Sequence, residues 1–357
     1  MAFFFKNHEV MQYELFGHSG LRVSPLCLGA MTFGEDWGWG ASQETSRQQF
    51  DAFLEAGGNF IDTANVYTEG SSERILADLI AADRDHIVLA TKYTLSNTTH
   101  NPNKSGNHRK NLVQSVEQSL KRLKTGYIDL LWVHAYDYLT PIEEMMRSLD
   151  DLVRAGKILY VGISDAPAWV TARANTLAEL RGWTPFIGNQ LEYNLTERSP
   201  ERDLLPMSKE LGLGVVAWSP LAAGILTGKY IDNQGEGSGG RMEGTTSYRL
   251  NEQNNRIARV VVETATELSV SPAQLSLAWL RHKGVIPIIG ARTMKQLQDN
   301  LGALGVHIPN EQMKRLDQIS AIELGFPHDF VLRPGAQKMI YGGMVDKIQG
   351  NKNPWLG

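Results

Sequence analysis

The 357-residue chain has one cysteine, Cys27, so no intrachain disulfide can form and a disulfide-stapled secreted scaffold is excluded. A chain so poor in cysteine is at home in a reducing cytosol, and we expect it there. No apolar run is long enough to span a bilayer. The opening Met1-Ala-Phe-Phe-Phe-Lys6 carries an apolar triplet but lacks the charged lead and longer apolar core of a signal peptide. No Lys/Arg-rich block interrupts a formal net charge of -4, so nucleic acid is not an expected partner. The nine histidines are scattered without a His-x-x-x-His pair, so no metal centre is expected. Asn97-Thr-Thr99 and Asn194-Leu-Thr196 match glycosylation acceptors by spelling alone.

What is present is ordinary globular material, 42% hydrophobic and 21% charged, enough for one large core. Asn59-Phe-Ile-Asp62, Ile87-Val-Leu-Ala-Thr-Lys92 and Ile128-Asp-Leu-Leu-Trp-Val-His134 are short apolar runs, each followed by a segment with helical periodicity. They read as buried parallel strands. Further strands are expected around 26–29 and near 158, 186, 214 and 286, with no Gly/Pro linker between units. The pattern predicts a (β/α)8 TIM barrel, preceded by a hairpin over Gln12–Phe16 and Leu21–Ser24, with a long loop after strand seven from about 222 to 250. We divide the chain into an N-terminal extension (1–11), one barrel domain (12–321) and a C-terminal tail (322–357). Thr140-Pro-Ile-Glu143, Ser271-Pro-Ala-Gln274 and Thr293-Met-Lys-Gln296 predict capping boxes at helix starts. Gly235-Glu-Gly-Ser-Gly-Gly240 spells G-x-G-x-x-G but follows no apolar strand, so it is rejected as a dinucleotide fingerprint.

Asp62, Tyr67, Lys92 and His134 stand at or just beyond strand ends, on the C-terminal face where such barrels assemble their sites. Carbonyl reduction by a nicotinamide needs a proton donor, and a tyrosine suits if its pKa, ~10 unperturbed, is brought toward neutrality. A nearby ammonium from Lys92 favours the phenolate, and Asp62 would keep that buried lysine charged. His134 would hydrogen-bond the carbonyl oxygen or relay the proton. The alternative is a structural Asp62–Lys92 ion pair with ordinary rim residues. Trp37, Trp39, Tyr136 and Tyr138 follow the first and fourth strands, where they form either an aromatic substrate pocket or core or lid packing. Phe326 and Phe330 in the tail are further candidates for substrate contact.

The segments Gly58–Tyr67, Ala90–Lys92, Leu131–His134, Gly162–Asp165 and Ile289–Thr293 resemble, in order, the signature blocks of the aldo-keto reductase family. The resemblance runs from about residue 12 to 320. Gly106–Lys110, Tyr127–Leu131, Ser164–Trp169, Thr184–Phe186 and Glu201–Asp203 are similar to its aryl-alcohol dehydrogenase-like branch. It implies NADP(H)-dependent reduction of aldehydes or ketones, aromatic or bulky and apolar, or the reverse oxidation. Tyr67 would be the general acid/base, with Asp62, Lys92 and His134 as its supports. It also implies that Ser164, Asp165 and Gln190 hold the nicotinamide carboxamide and that Trp218 stacks on the ring. Many members have Asn where Asp165 stands and Tyr where Trp218 stands. Ser219, Pro220, Leu221, Gly224, Leu226 and Lys229 resemble the loop over the pyrophosphate. Gly290, Ala291, Arg292, Thr293, Gln296 and Asn300 fall where the 2′-phosphate would meet a helix start. The partner expected is a small carbonyl or alcohol, with self-association left open. A cofactor-sensing subunit similar to potassium-channel β subunits and a metal-dependent hydrolase on the same barrel are the rival readings.

Overall fold

The computed structural model describes residues 11–231 and 247–348. The rejected glycine motif at 235–240, most of the extension and the end of the tail lie outside these residues. Two short antiparallel strands, β1 (Glu14–Leu15) and β2 (Arg22–Val23), form the hairpin, shorter than its sequence suggests. Eight parallel strands follow: β3 (Cys27–Gly29), β4 (Phe60–Asp62), β5 (Val88–Tyr93), β6 (Ile128–Val133), β7 (Ile158–Ser164), β8 (Phe186–Glu192), β9 (Gly214–Trp218) and β10 (Ile286–Ile289). They close into a barrel because β10 pairs with both β9 and β3.

The connecting helices are α1 (Gln43–Glu55), α2 (Ser71–Ile80), α3 (Arg109–Leu123), α4 (Ile142–Arg154), α5 (Ala168–Arg181), α6 (Leu204–Glu210), α7 (Glu252–Glu267), α8 (Pro272–His282), α9 (Met294–Leu301) and α10 (Asn310–Ile319). Two short helices, α11 (His328–Val331) and α12 (Pro334–Ile340), lie in the tail. Among the described residues no helix is long and apolar enough to cross a membrane.

The inner and outer faces of the strands bury different side chains. Outward residues pack with the helices, as Tyr93, Leu131 and Val133 do against Val116, Met145 and Met146. The inner cluster holds Phe60, Ala90, Leu130, Trp132 and Val216, and the hairpin contributes Phe16. Phe16 meets Phe60 and Trp132 edge-on at centroid distances of 5.6 and 6.2 Å. Glycine makes the room. A Cβ at Gly188 or Gly214 would lie 2.5 or 2.6 Å from the Phe16 ring, and one at Gly162 would lie 2.4 Å from Trp132. The hairpin is therefore a plug in the lower barrel, leaving the opposite end for polar groups.

Of the capping boxes, the one at Ser271 forms in full, with Pro272 in the first turn. The other two are corrected. Asp137 takes both the amide and the hydroxyl of Thr140, so α4 starts at Ile142 without a side-chain cap. At α9 the Thr293 hydroxyl accepts from the Gln296 amide, but the Gln296 side chain turns back to the amide of Arg292.

Candidate active site

Asp62 ends β4 in register with Ala90 of β5, and Lys92 stands two residues further along β5, from where its long side chain reaches Asp62. Lys92 is fully buried and its three ammonium protons have three acceptors. They are the Asp62 carboxylate, the Thr63 carbonyl at 2.9 Å and the Tyr67 hydroxyl at 3.2 Å. The other Asp62 oxygen, Oδ2, accepts from Gln190 Nε2 at 3.0 Å. Asp62 thus bridges β5 and β8 across the barrel mouth. Burial opposes the lysine's charge, but Asp62 and Tyr67 outweigh it and hold the Lys92 pKa above its ordinary value.

Tyr67 sits in the turn between β4 and α2, which is held in an unusual backbone conformation. Thr68 and Glu69 have positive φ angles of 45° and 53°. The turn is pinned where Thr68 Oγ1 donates to the Phe33 carbonyl and Ser72 Oγ donates to the Ala30 carbonyl, both at 2.7 Å. One expectation is corrected here: the Tyr67 pKa is raised rather than brought toward neutrality. Loss of water around the phenol outweighs the Lys92 charge, and the carboxylates of Asp62 and Asp165 push the same way. The phenol stays protonated, and because its oxygen accepts from Lys92 its own proton is free to point into the cleft.

His134 follows β6, with its ring edge-on to Tyr67 at 6.0 Å. One side of the imidazole opens to the cleft, yet the protein around it and the Lys92 charge lower its pKa to about 3. It is neutral at any physiological pH. Its Nδ1 is buried without a partner. Trp37 meets Tyr67 edge-on at 6.3 Å and Trp39 at 5.5 Å, so one wall of the cleft is aromatic. Tyr136 packs with Tyr138 at 5.0 Å and Trp169 at 6.3 Å, and its amide donates to the Asp165 carbonyl at 3.4 Å. Phe326 and Phe330 lie in the tail. Phe326 is 86% exposed and pairs with Phe330 on the surface, beside a tail that joins the barrel through His328–Asp203 and Arg202–Glu323 contacts.

At the end of β7, Ser164 Oγ is buried and unpartnered. Asp165 has a positive φ of 43°, and its Oδ1 accepts from Trp218 Nε1 at 3.0 Å. Asp165 is open to solvent through the cleft and a cavity of about 240 Å³ that it shares with Glu192 and Glu197. The protein packed around it nevertheless raises its pKa to about 6. Ser219 also takes a positive φ, 54°, with its carbonyl held by the buried Asn194 side chain at 3.1 Å.

Pro220 is buried and Leu221 partly so. The amides of Gly224 and Leu226 donate to the Leu221 carbonyl, at 2.8 and 3.4 Å. Leu226 and Ala291 are core side chains, while Lys229 is exposed. Gly290, Arg292, Thr293 and Gln296 stand exposed at the start of α9, and the buried Asn300 side chain reaches the Gly290 carbonyl at 3.3 Å. The backbone acceptor Thr63, the Gln190–Asp62 link and the buried Glu192–Arg249 ion pair were not foreseen from the sequence.

A closed barrel of eight parallel strands with surrounding helices, with a buried lysine shared by a carboxylate and a phenol at its mouth, puts the chain in the TIM-barrel class. Residues 25–321 match the model of the aldo/keto reductase family, and the chain belongs to that family. It is 38% identical over 331 residues to the norsolorinic acid reductase of Aspergillus flavus, covering 89% of this chain and 83% of that protein. A norsolorinic acid reductase of Emericella nidulans is 41% identical over 333 residues, 90% of this chain and 84% of its own. The aryl-alcohol dehydrogenase [NADP(+)] of Phanerodontia chrysosporium is 39% identical over 356 residues, 94% of this chain and 91% of its own.

Proposed function

We propose that the protein is an NADP(H)-dependent oxidoreductase that reduces aldehydes or ketones, aromatic or bulky and apolar, to alcohols, with residues 12–321 as the catalytic unit. The observation that carries the reading is the saturated Lys92 ammonium, joined at once to Asp62, Thr63 and the Tyr67 hydroxyl. A structural ion pair needs no phenol, and this one ends on a partly exposed phenol.

Tyr67 donates its proton to the substrate oxygen. Lys92 stabilises the phenolate left behind, in a site shielded enough for that charge to count. Asp62 keeps Lys92 charged, and Gln190 fixes the free oxygen of Asp62. His134, held neutral, offers an imidazole N–H to the same substrate oxygen without adding charge. Bound NADPH supplies the hydride. Ser164, with an orphaned buried hydroxyl, fits a carboxamide together with Asp165 and Gln190, and the half-buried face of Trp218 fits a nicotinamide ring. The loop carrying Ser219, Pro220, Leu221, Gly224, Leu226 and Lys229 follows the pyrophosphate's course, with Lys229 as its charged donor and Leu226 anchoring it in the core. Gly290, Ala291, Arg292, Thr293, Gln296 and Asn300 form the 2′-phosphate end, with Arg292 exposed at a helix start. Trp37 and Tyr136 flank the substrate. Phe326 and Phe330, exposed in the tail, are further substrate contacts in this reading.

Following NADPH absorbance with a panel of aromatic and aliphatic aldehydes tests the reading. Turnover with higher kcat/KM for aromatic aldehydes is expected. Tight NADPH binding with no turnover on any aldehyde would favour the cofactor-sensing alternative instead.

A further inference from the structure

We propose that Asp165 makes the site discriminate between the redox states of a nicotinamide, favouring the oxidised, cationic ring over the reduced, neutral one. The inference rests on the cofactor reading above and concerns a charge that this reading does not use.

The charges around the mouth of the barrel are mostly compensated. Asp62 is paired with Lys92, and Glu192 with Arg249. The partner of the Asp165 carboxylate is instead the neutral indole N–H of Trp218, which holds Oδ1 at 3.0 Å and leaves Oδ2 uncommitted. That carboxylate is near the chemistry, because the Asp165 amide donates to the Gln190 carbonyl at 3.3 Å and the Gln190 side chain in turn donates to Asp62 at 3.0 Å. Hydride transfer requires the nicotinamide carbon to lie roughly 3–3.5 Å from the carbonyl carbon whose oxygen meets Tyr67. The ring must therefore sit among groups that already sense Asp165. An oxidised ring brings one positive charge to this place, whereas the reduced ring brings none.

The groups facing Asp165 are Lys92 on β5, Tyr67 in the turn after β4, Glu192 with Arg249, Glu197 across the shared cavity, and the Trp218 indole. Its carboxyl is pushed up to about 6, so it is mostly ionised at neutral pH and loses its charge in mild acid. The preference for the oxidised ring should fade over the same range. The 2′-phosphate is common to both redox forms and cancels from their ratio. The overall equilibrium of the reaction is untouched. What shifts is the internal equilibrium between bound states, toward the oxidised ring and hence toward hydride donation and carbonyl reduction.

The test measures dissociation constants of NADP+ and NADPH by calorimetry for the wild type and Asp165→Asn, near neutral pH and again below pH 6. The amide keeps an acceptor for Trp218 and removes the charge. The ratio of the NADP+ constant to the NADPH constant should rise on the order of 10-fold in the variant, the equivalent of one pKa unit of interaction. The wild-type ratio should drift toward the variant's in acid. An equal loss for both cofactors, or an unchanged ratio, would overturn the inference while leaving the cofactor reading in place. Failure of the wild type to bind either cofactor would overturn both.

Discussion

Lys92 is the residue on which the site turns, because a fully buried ammonium persists only where its partners outweigh the loss of water. Removing Asp62 strands that charge. Asp62→Ala should lower stability by roughly 3–5 kcal/mol, read as a lower urea midpoint, in addition to any loss of activity. His134 makes an opposite kind of prediction. Its pKa is about 3 in the folded chain and near 6.5 when unfolded, so unfolding takes up a proton between those values. Stability attributable to His134 is therefore lost as pH falls below about 6.5. Comparing urea midpoints at about pH 7 and pH 5, His134→Asn should show a shallower fall than the wild type. Equal falls would mean that the imidazole is not held neutral. The identities of the four polar residues were legible because each closes a strand or its loop. Their pKa values were not, since the burial of Tyr67 depends on neighbours such as Trp37 that sequence spacing alone cannot bring into contact.

At the scale of elements, strand positions followed closely from the apolar runs, whereas helix caps did so unevenly. Ser271 caps α8 because nothing competes for its backbone, while Asp137 diverts Thr140 and Gln296 prefers the amide of Arg292. That second exchange matters for function. It leaves the start of α9 closed by its own glutamine, so that the proposed phosphate contact would fall to the exposed Arg292 side chain. Arg292→Ala should weaken NADPH binding by at least 10-fold more than NADH, about 1.4 kcal/mol of selectivity, in parallel titrations. Equal losses for the two cofactors would remove Arg292 from that role. The strained turns at Thr68, Asp165 and Ser219 had no signal in the sequence, because none of them carries the glycine that usually announces a positive φ.

Across the whole molecule, the barrel is sealed at one end and open at the other. The seal comes from Phe16 in the hairpin, lodged against the glycines of β8 and β9. A sequence search reads Gly188 and Gly214 as weak strand positions, since the ring that needs them lies about 170 to 200 residues away. Gly188→Ala should cost roughly 1–3 kcal/mol through overpacking, and Phe16→Leu in the same chain should recover part of it. Purely additive losses in that double-mutant cycle would show that the contact does not limit the packing. In the tail, Phe326 and Phe330 pair with ring centroids 6.4 Å apart.

The most direct test of the account compares the wild type with Tyr67→Phe, following NADPH oxidation by an aromatic aldehyde and measuring NADPH affinity on the same preparations. The substitution removes one hydroxyl and leaves the Lys92–Asp62 pair intact. Loss of turnover by about 10²- to 10⁴-fold with nearly unchanged NADPH affinity is the expected result. Turnover retained at the wild-type rate would contradict the assignment of Tyr67 as proton donor, and with it the central claim.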